Sequence, residues 1–398
     1  MHRKNYFVIL VGIAKDYSIC VYGALPYNLR KHDIQTQPQK GTVMHPISVC
    51  IIAKNEESRI EQCLSSIKPY GFEIVVVDTG STDKTKEIAG RYADKVLDFP
   101  WCDDFSAARN FSLREASNNW IFMIDCDETI KEIDVEELNY FRKHLSDKVG
   151  SVSRENLVTE NGVLTLNNTD YTERFFNKKL YHYTGIIHEQ LTPIRGHEIP
   201  NMLLHTTLLH TGYDMTPEEE HAKYLRNFTL LEKQAELDPD NPYLYYQLGK
   251  SCEILEDFVR ACTYYDKGLS FDLDPELAYV QAMVVSYGNA LLRTGQAETA
   301  LGFEGIYDEF STATDFIYLM GNIYQENGMF EQAISQYQKV IQMPPGRQNG
   351  TNSFLPLYQC GYIFEQLGDT DSASALYVQC GDFAPAIERL TILRRSDT

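Results

Sequence analysis

Two carboxylates one residue apart close an apolar run: Trp120-Ile121-Phe122-Met123-Ile124 leads into Asp125-Cys126-Asp127-Glu128. If strand alternation continues through the acids, Asp125 and Asp127 point to one side and Cys126 to the other. Hard oxygen donors so placed suit Mg2+ or Mn2+, and such a cation can hold a diphosphate. A lone Asp-x-Asp is more often just an acidic strand end facing water. The upstream context favours the first reading, because Glu56 follows the apolar run 47–53 and Asp78 follows the apolar run 73–77. Asp78 can accept a hydrogen bond from a base N–H such as N3 of uracil. Asn55 and Glu56 would position base or ribose, and Asp127 would hold the cation bridging a diphosphate. A turn or helix-cap role is the alternative for Asp78, and also for Asp83.

These acids need a scaffold that brings strand ends together. Short apolar runs at 47–53, 73–77, 95–99 and 120–125 read as strands. Helical spacing predicts helices over 57–68, 84–92 and 105–117. Alternating strands and helices predict an α/β layer with a mostly parallel sheet, whose ligands bind beyond the C-terminal strand ends. Further on, 132–145 reads as an amphipathic helix. The polar stretch 150–170 reads as strands or loops.

Three segments together resemble family 2 glycosyltransferases of the GT-A fold: Ala53-Lys54-Asn55-Glu56-Glu57, Val77-Asp78-Thr79-Gly80-Ser81-Thr82-Asp83 and Ile124-Asp125-Cys126-Asp127-Glu128. Asp103-Asp104-Phe105-Ser106-Ala107-Ala108-Arg109-Asn110 and Gly185-Ile186-Ile187-His188-Glu189 resemble a subgroup that pairs this domain with tetratricopeptide repeats. That subgroup includes bacterial enzymes that glycosylate bacteriocin peptides on Cys or Ser. The resemblance implies uridine contacts at Asn55, Glu56 and Asp78, and a metal on Asp127. It implies that Asp125 supports the diphosphate or ribose, and that Asp104 and Arg109 line the donor pocket. For Arg109, a guanidinium facing a diphosphate competes with a helix-surface ion pair. The implied activity is metal-dependent, inverting transfer of a sugar from a nucleotide donor, with UDP expected, to a peptide, protein or glycan. Such a transfer needs a base; Glu189 is the first candidate and His188 the second, against a reading in which both only shape the acceptor loop. His210 is a candidate additional metal ligand, or else a buried structural histidine.

After residue 215 the pattern changes. Residues 217–236 read as one long helix, broken by Asp238-Pro239-Asp240-Asn241-Pro242. Four units follow, marked by Gly249, Gly288, Gly321 and Gly361, each trailed by Ala and then an aromatic residue. Their spacing is near the tetratricopeptide period. The predicted organisation is a poorly defined extension over 1–43, a GT-A domain over 44–215, a connecting helix and linker over 216–242, and helical repeats over 243–398. The repeats would bind a peptide or pair two copies of the chain, with a homodimer mildly preferred.

A net charge of −20 offers no general basic field for nucleic acid or an anionic membrane. The nine cysteines include no Cys-x-x-Cys pair, and free thiols in a reducing cytoplasm fit them better than disulfides or a zinc site. The apolar run 6–14 is too short to cross a bilayer. The competing reading is a degenerate transferase domain that serves as a repeat scaffold. A nucleotidyltransferase is disfavoured, because Lys54-Asn55-Glu56 stands where such enzymes carry a glycine-rich basic loop.

Overall fold

The structure is a computed structural model that describes residues 45–160, 163–196, 199–212 and 216–396. The extension expected over 1–43 lies outside the described residues. The chain divides into two compact units, one ending at Lys223 and the other starting at Tyr224.

The first unit alternates strands and helices as the sequence predicts: β1 (Ile47–Ala53), α1 (Ile60–Ile67), β2 (Glu73–Asp78), α2 (Thr85–Ala89), β3 (Lys95–Asp98), α3 (Phe105–Glu115) and β4 (Trp120–Met123). Then come β5 (Glu128–Ile133), α4 (Val135–His144), the long hairpin β6 (Val149–Glu160) and β7 (Val163–Asn177), β8 (Tyr181–Thr184), β9 (Gln190–Pro193) and β10 (Asn201–His210). Eight strands form one sheet in the order β3-β2-β1-β4-β7-β6-β10-β5, and β8 and β9 pair separately. The half from β3 to β4 is parallel.

Alternation along β4 sorts its side chains between two cores. Phe122 packs with Val49, Leu64 and Phe141, while Ile121 and Met123 pack with Val75, Leu113 and Tyr181. Helices α1 and α4 cover one face and α3 the other, which is why β1 and β2 are apolar almost throughout.

Two expectations need correction. The sheet is mixed rather than mostly parallel, because β7 turns back antiparallel on β4 and β6 antiparallel on β7. The polar 150–170 stretch, read as strands or loops, is strand almost throughout, but its short alternating runs did not announce so long a hairpin. The helix expected over 132–145 begins at Val135, capped by Asp134, whose side chain accepts from Glu137 N. The residues before it belong to β5, paired with β10.

The second unit is all helical. The unit boundary falls within α5 (Pro217–Leu237), followed by α6 (Pro242–Ile254), α7 (Phe258–Leu269), α8 (Ala278–Arg293), α9 (Ala297–Ala300) and α10 (Tyr307–Phe310). It ends with α11 (Thr314–Glu326), α12 (Phe330–Ile341), α13 (Phe354–Gln366), α14 (Thr370–Gln379) and α15 (Ala384–Ser396). The repeat glycines let helices approach: a Cβ on Gly321 would stand 2.4 Å from the Tyr337 ring, and one on Gly361 2.8 Å from Tyr377. Tyr265, Tyr337 and Tyr377 are fully buried, as expected of solenoid core. The unit at Gly288 is irregular, since its second helix breaks into α9, a 3-10 turn and α10 around Gly302 and Gly305.

Candidate active site

The acids named from the sequence lie where β1, β2 and β4 end side by side in the parallel half of the sheet. Asp78 ends β2, and its Oδ1 accepts the Gly80 and Ser81 N–H groups at 3.0 and 2.9 Å, closing the turn. Its Oδ2 is buried without a hydrogen-bond partner in a residue only 2% exposed. A buried anionic acceptor of that kind needs a donor to offset its desolvation. Asn55 takes a left-handed backbone at φ 55°, and its side-chain oxygen accepts Thr82 N at 2.8 Å. Glu56 N donates to Thr85 Oγ1 at 2.7 Å. These bonds lock the β1 and β2 loops together. Asp83, read as a cap, accepts the Thr85 and Glu57 N–H groups at 2.9 and 3.1 Å. Burial, reinforced by the Asp127 carboxylate, raises Glu56 above the usual carboxylate range.

The Asp-Cys-Asp segment differs from the expected strand extension. β4 ends at Met123 and the acids form a turn closed by Glu128 N on Asp125 O. Cys126 does tuck inward, its thiol on Ile52 O at 3.0 Å, but the two aspartates engage different partners. Asp125 is clamped by Arg109 Nη2 at 2.9 Å and Arg174 Nη2 at 2.7 Å. Burial would raise its pKa, but the two guanidiniums outweigh this and hold it well below the usual carboxylate range. Asp127 Oδ2 faces His210 Nε2 at 3.3 Å.

Arg109 is 8% exposed on α3, so it is no surface residue. It bridges Asp125 and Glu189, whose Oε1 accepts its Nε–H at 2.5 Å. Arg109 Nη1 is buried without a partner, leaving a guanidinium donor for an anion. Asp104 accepts Ala107 N at 2.9 Å as the N-cap of α3. The loop bearing His188 and Glu189 joins β8 to β9 and is tied to α3 by Phe105 N on Ile186 O at 2.9 Å. His188 has φ 51°, and burial holds its imidazole below the ordinary histidine range, favouring the neutral form. Three of the non-glycine residues with left-handed backbone, Asn55, Asp103 and His188, lie in the loops around these acids. Held strain of this kind clusters at functional sites.

The donor set can be tested for a divalent cation. Asp127 Oδ2 and His210 Nε2 are separated by about the distance between adjacent ligands of a cation with bonds of ~2.1 Å. A Cβ on Gly212 would stand 2.2 Å from that Asp127 oxygen and 2.5 Å from His210 Nε2, so glycine keeps the space beside both atoms open. Among the described residues there is no cluster of three His, Cys, Asp or Glu ligands. Mg2+ and Mn2+ usually take one or two carboxylates with the rest left to phosphate and water; Asp127 supplies the carboxylate and the His210 imidazole a softer second donor. The residues fit.

Four contributors were missed from sequence. Arg174 is 5% exposed and joins Asp125 to Glu128, whose carboxylate is fully buried. A single cation beside Phe175-Phe176 in a buried strand was the available signal. Asn156 and Asp170 lie in the polar hairpin, where no periodicity set them apart. Gly212 was visible only as a small residue following His210 and Thr211.

Residues 48–190 match the family described as Glycosyl transferase family 2, and residues 314–347 match Tetratricopeptide repeat. The SPbeta prophage-derived glycosyltransferase SunS of Bacillus subtilis (strain 168) is 26% identical over 340 residues, covering 80% of this chain and 74% of that protein. An uncharacterized glycosyltransferase of Rickettsia bellii (strain RML369-C) is 39% identical over 94 residues, 24% of this chain and 32% of that one. A TPR repeat-containing protein of Synechococcus elongatus is 41% identical over 90 residues, 23% of this chain and 22% of that one.

Proposed function

We propose that this glycosyltransferase, whose residues 48–190 carry the family 2 domain, transfers a sugar from a UDP-linked donor with inversion, using a divalent cation, to a peptide, protein or glycan acceptor. One observation carries the donor assignment: Asp78 presents a buried, unpartnered carboxylate oxygen at the end of β2. Uracil supplies the missing donor through N3–H. Asn55 and Glu56, fixed by the paired loops, flank the uridine.

Mn2+ or Mg2+ held by Asp127 and His210 would neutralise the charge of the leaving diphosphate. Arg109 Nη1 is free to meet the same charge. Glu189 is the proposed base, aimed by the Arg109 Nε–H, with His188 next to it in the same loop. The acceptor oxygen or sulfur attacks the anomeric carbon while its proton passes to Glu189. The bond from that carbon to the diphosphate oxygen breaks, its electron pair leaving on UDP.

The repeats serve as the protein-binding part, for a polypeptide acceptor or a second copy of the chain. No helix among the described residues is long and apolar enough to cross a membrane. The free thiols among them support a cytoplasmic setting.

Calorimetric titration of UDP into wild type and Asp78→Asn, with Mn2+ present, tests the donor site. The amide keeps an oxygen for the turn but puts an N–H group where N3–H needs an acceptor. UDP affinity is expected to fall 10–100-fold. Equal affinity in the two proteins would overturn the uridine role of Asp78. No UDP binding by wild type would favour the scaffold reading.

A further inference from the structure

Behind Asp127 and His210 stands a buried polar ladder that no motif in the sequence announces. His210 ends β10 and is the register partner of Asn156 on the parallel neighbour β6. His210 Nδ1 lies 2.9 Å from Asn156 Oδ1, and Asn156 is fully buried. The orientation of the Asn156 amide is set from its far side, where Nδ2 donates to Asp170 Oδ2 at 3.2 Å. Asp170 is held in turn by Arg154, which donates Nε–H to Oδ1 at 3.0 Å and Nη2–H to Oδ2 at 2.7 Å. A carboxylate can only accept, so the amide nitrogen faces Asp170 and the amide oxygen faces the imidazole. An amide oxygen also only accepts, so the His210 proton belongs on Nδ1. Nε2 is then the ring nitrogen that faces Asp127 Oδ2, at 3.3 Å, beside the space Gly212 leaves.

We propose that Asn156, anchored by Asp170, is a positioning residue that fixes His210 as an Nε2 donor to a divalent cation shared with Asp127. The proposal rests on the metal reading given above. Histidine ligands generally donate their other ring N–H to a fixed acceptor, which sets tautomer and ring orientation. Here that acceptor is a neutral amide rather than a carboxylate, which adds no further negative charge behind a site already rich in acids.

Free Mn2+ measured by electron paramagnetic resonance, in titrations of full-length protein with UDP present, tests this without turnover. Wild type should bind, and Asn156→Ala should bind 10–100-fold more weakly. Nitrogen-15 spectra of histidine-labelled wild type in EDTA, with His210 assigned from His210→Gln, need no Asn156 variant. They should show the proton on Nδ1. Asn156→Ala binding Mn2+ as tightly as wild type would overturn the proposal, as would metal-free His210 protonated on Nε2 alone. A wild type that takes up no more Mn2+ than Asp127→Ala would instead overturn the metal reading, and the proposal with it.

Discussion

At the scale of single residues, the site is defined as much by what is left open as by what is filled. Asp78 keeps one carboxylate oxygen for the turn and one unpartnered, and Arg109 keeps one nitrogen unpartnered. Gly212 keeps the space beside Asp127 and His210 clear. Gly212→Ala should therefore weaken Mn2+ binding at least tenfold, because its methyl occupies the position between the two donors. UDP affinity measured in EDTA should stay near wild type. Calorimetry under the two conditions separates these effects, and unchanged Mn2+ affinity would contradict the placement of the cation. The acids at the ends of β1, β2 and β4 were legible in sequence because each interrupts a short apolar run. Arg174 and Asn156 were not. The partners of Arg174 (Asp125 and Glu128) lie 49 and 46 residues away, and those of Asn156 (Asp170 and His210) lie 14 and 54 away across strand pairings that the sequence does not encode locally.

At the scale of elements, one polar network joins the strands that hold the site. It runs from His210 on β10 through Asn156 and Arg154 on β6 and Asp170 on β7 to Glu128 on β5. Arg174 on β7 continues it to Asp125, and Arg109 on α3 to Glu189. Buried ion pairs of this type stabilise little by themselves, but losing one partner leaves an uncompensated charge costing about 3–5 kcal/mol. The network therefore holds geometry more than it adds stability. A second, separate cluster sets an acid limit on the parallel half of the sheet. Glu73 at the start of β2 is raised by burial, but bonds from Ser117 and Ser48 and the nearby Lys95 outweigh this and bring it down to about 2. Its folded pKa lies below its unfolded value of about 4.3, so its contribution is complete above the latter and is lost as pH falls toward 2. Urea midpoints measured between pH 7 and pH 2 should fall more steeply for wild type than for Glu73→Gln. The difference at pH 7 should be roughly 2–3 kcal/mol. Parallel curves would show that Glu73 does not carry the acid sensitivity. The parallel strands and most helices were legible from periodicity. The β6–β7 hairpin was legible only as strands or loops, because its stabilising pairs are cross-strand and polar, and α2 ended at Ala89 earlier than its spacing suggested.

At the scale of the whole molecule, the chain joins a catalytic α/β unit to a helical repeat unit, and the sequence showed both for different reasons. The catalytic unit announced itself through acids at strand ends. The repeats announced themselves through glycines spaced by about one helix pair, each meeting a bulky side chain from another helix. The irregular unit around Gly302 and Gly305 was hidden, since the repeat spacing survives a broken second helix. Both units matter to the central claim, which is that the first unit turns over a UDP-sugar with a divalent cation and the second engages a protein. The most direct measurement is UDP release by the purified full-length chain from a panel of nucleotide sugars, each with Mn2+, Mg2+ or EDTA. The account predicts release from one or two UDP-sugars, abolished by EDTA and by Asp127→Ala. Release undiminished in EDTA, or equal release from donors carrying other bases, would contradict it.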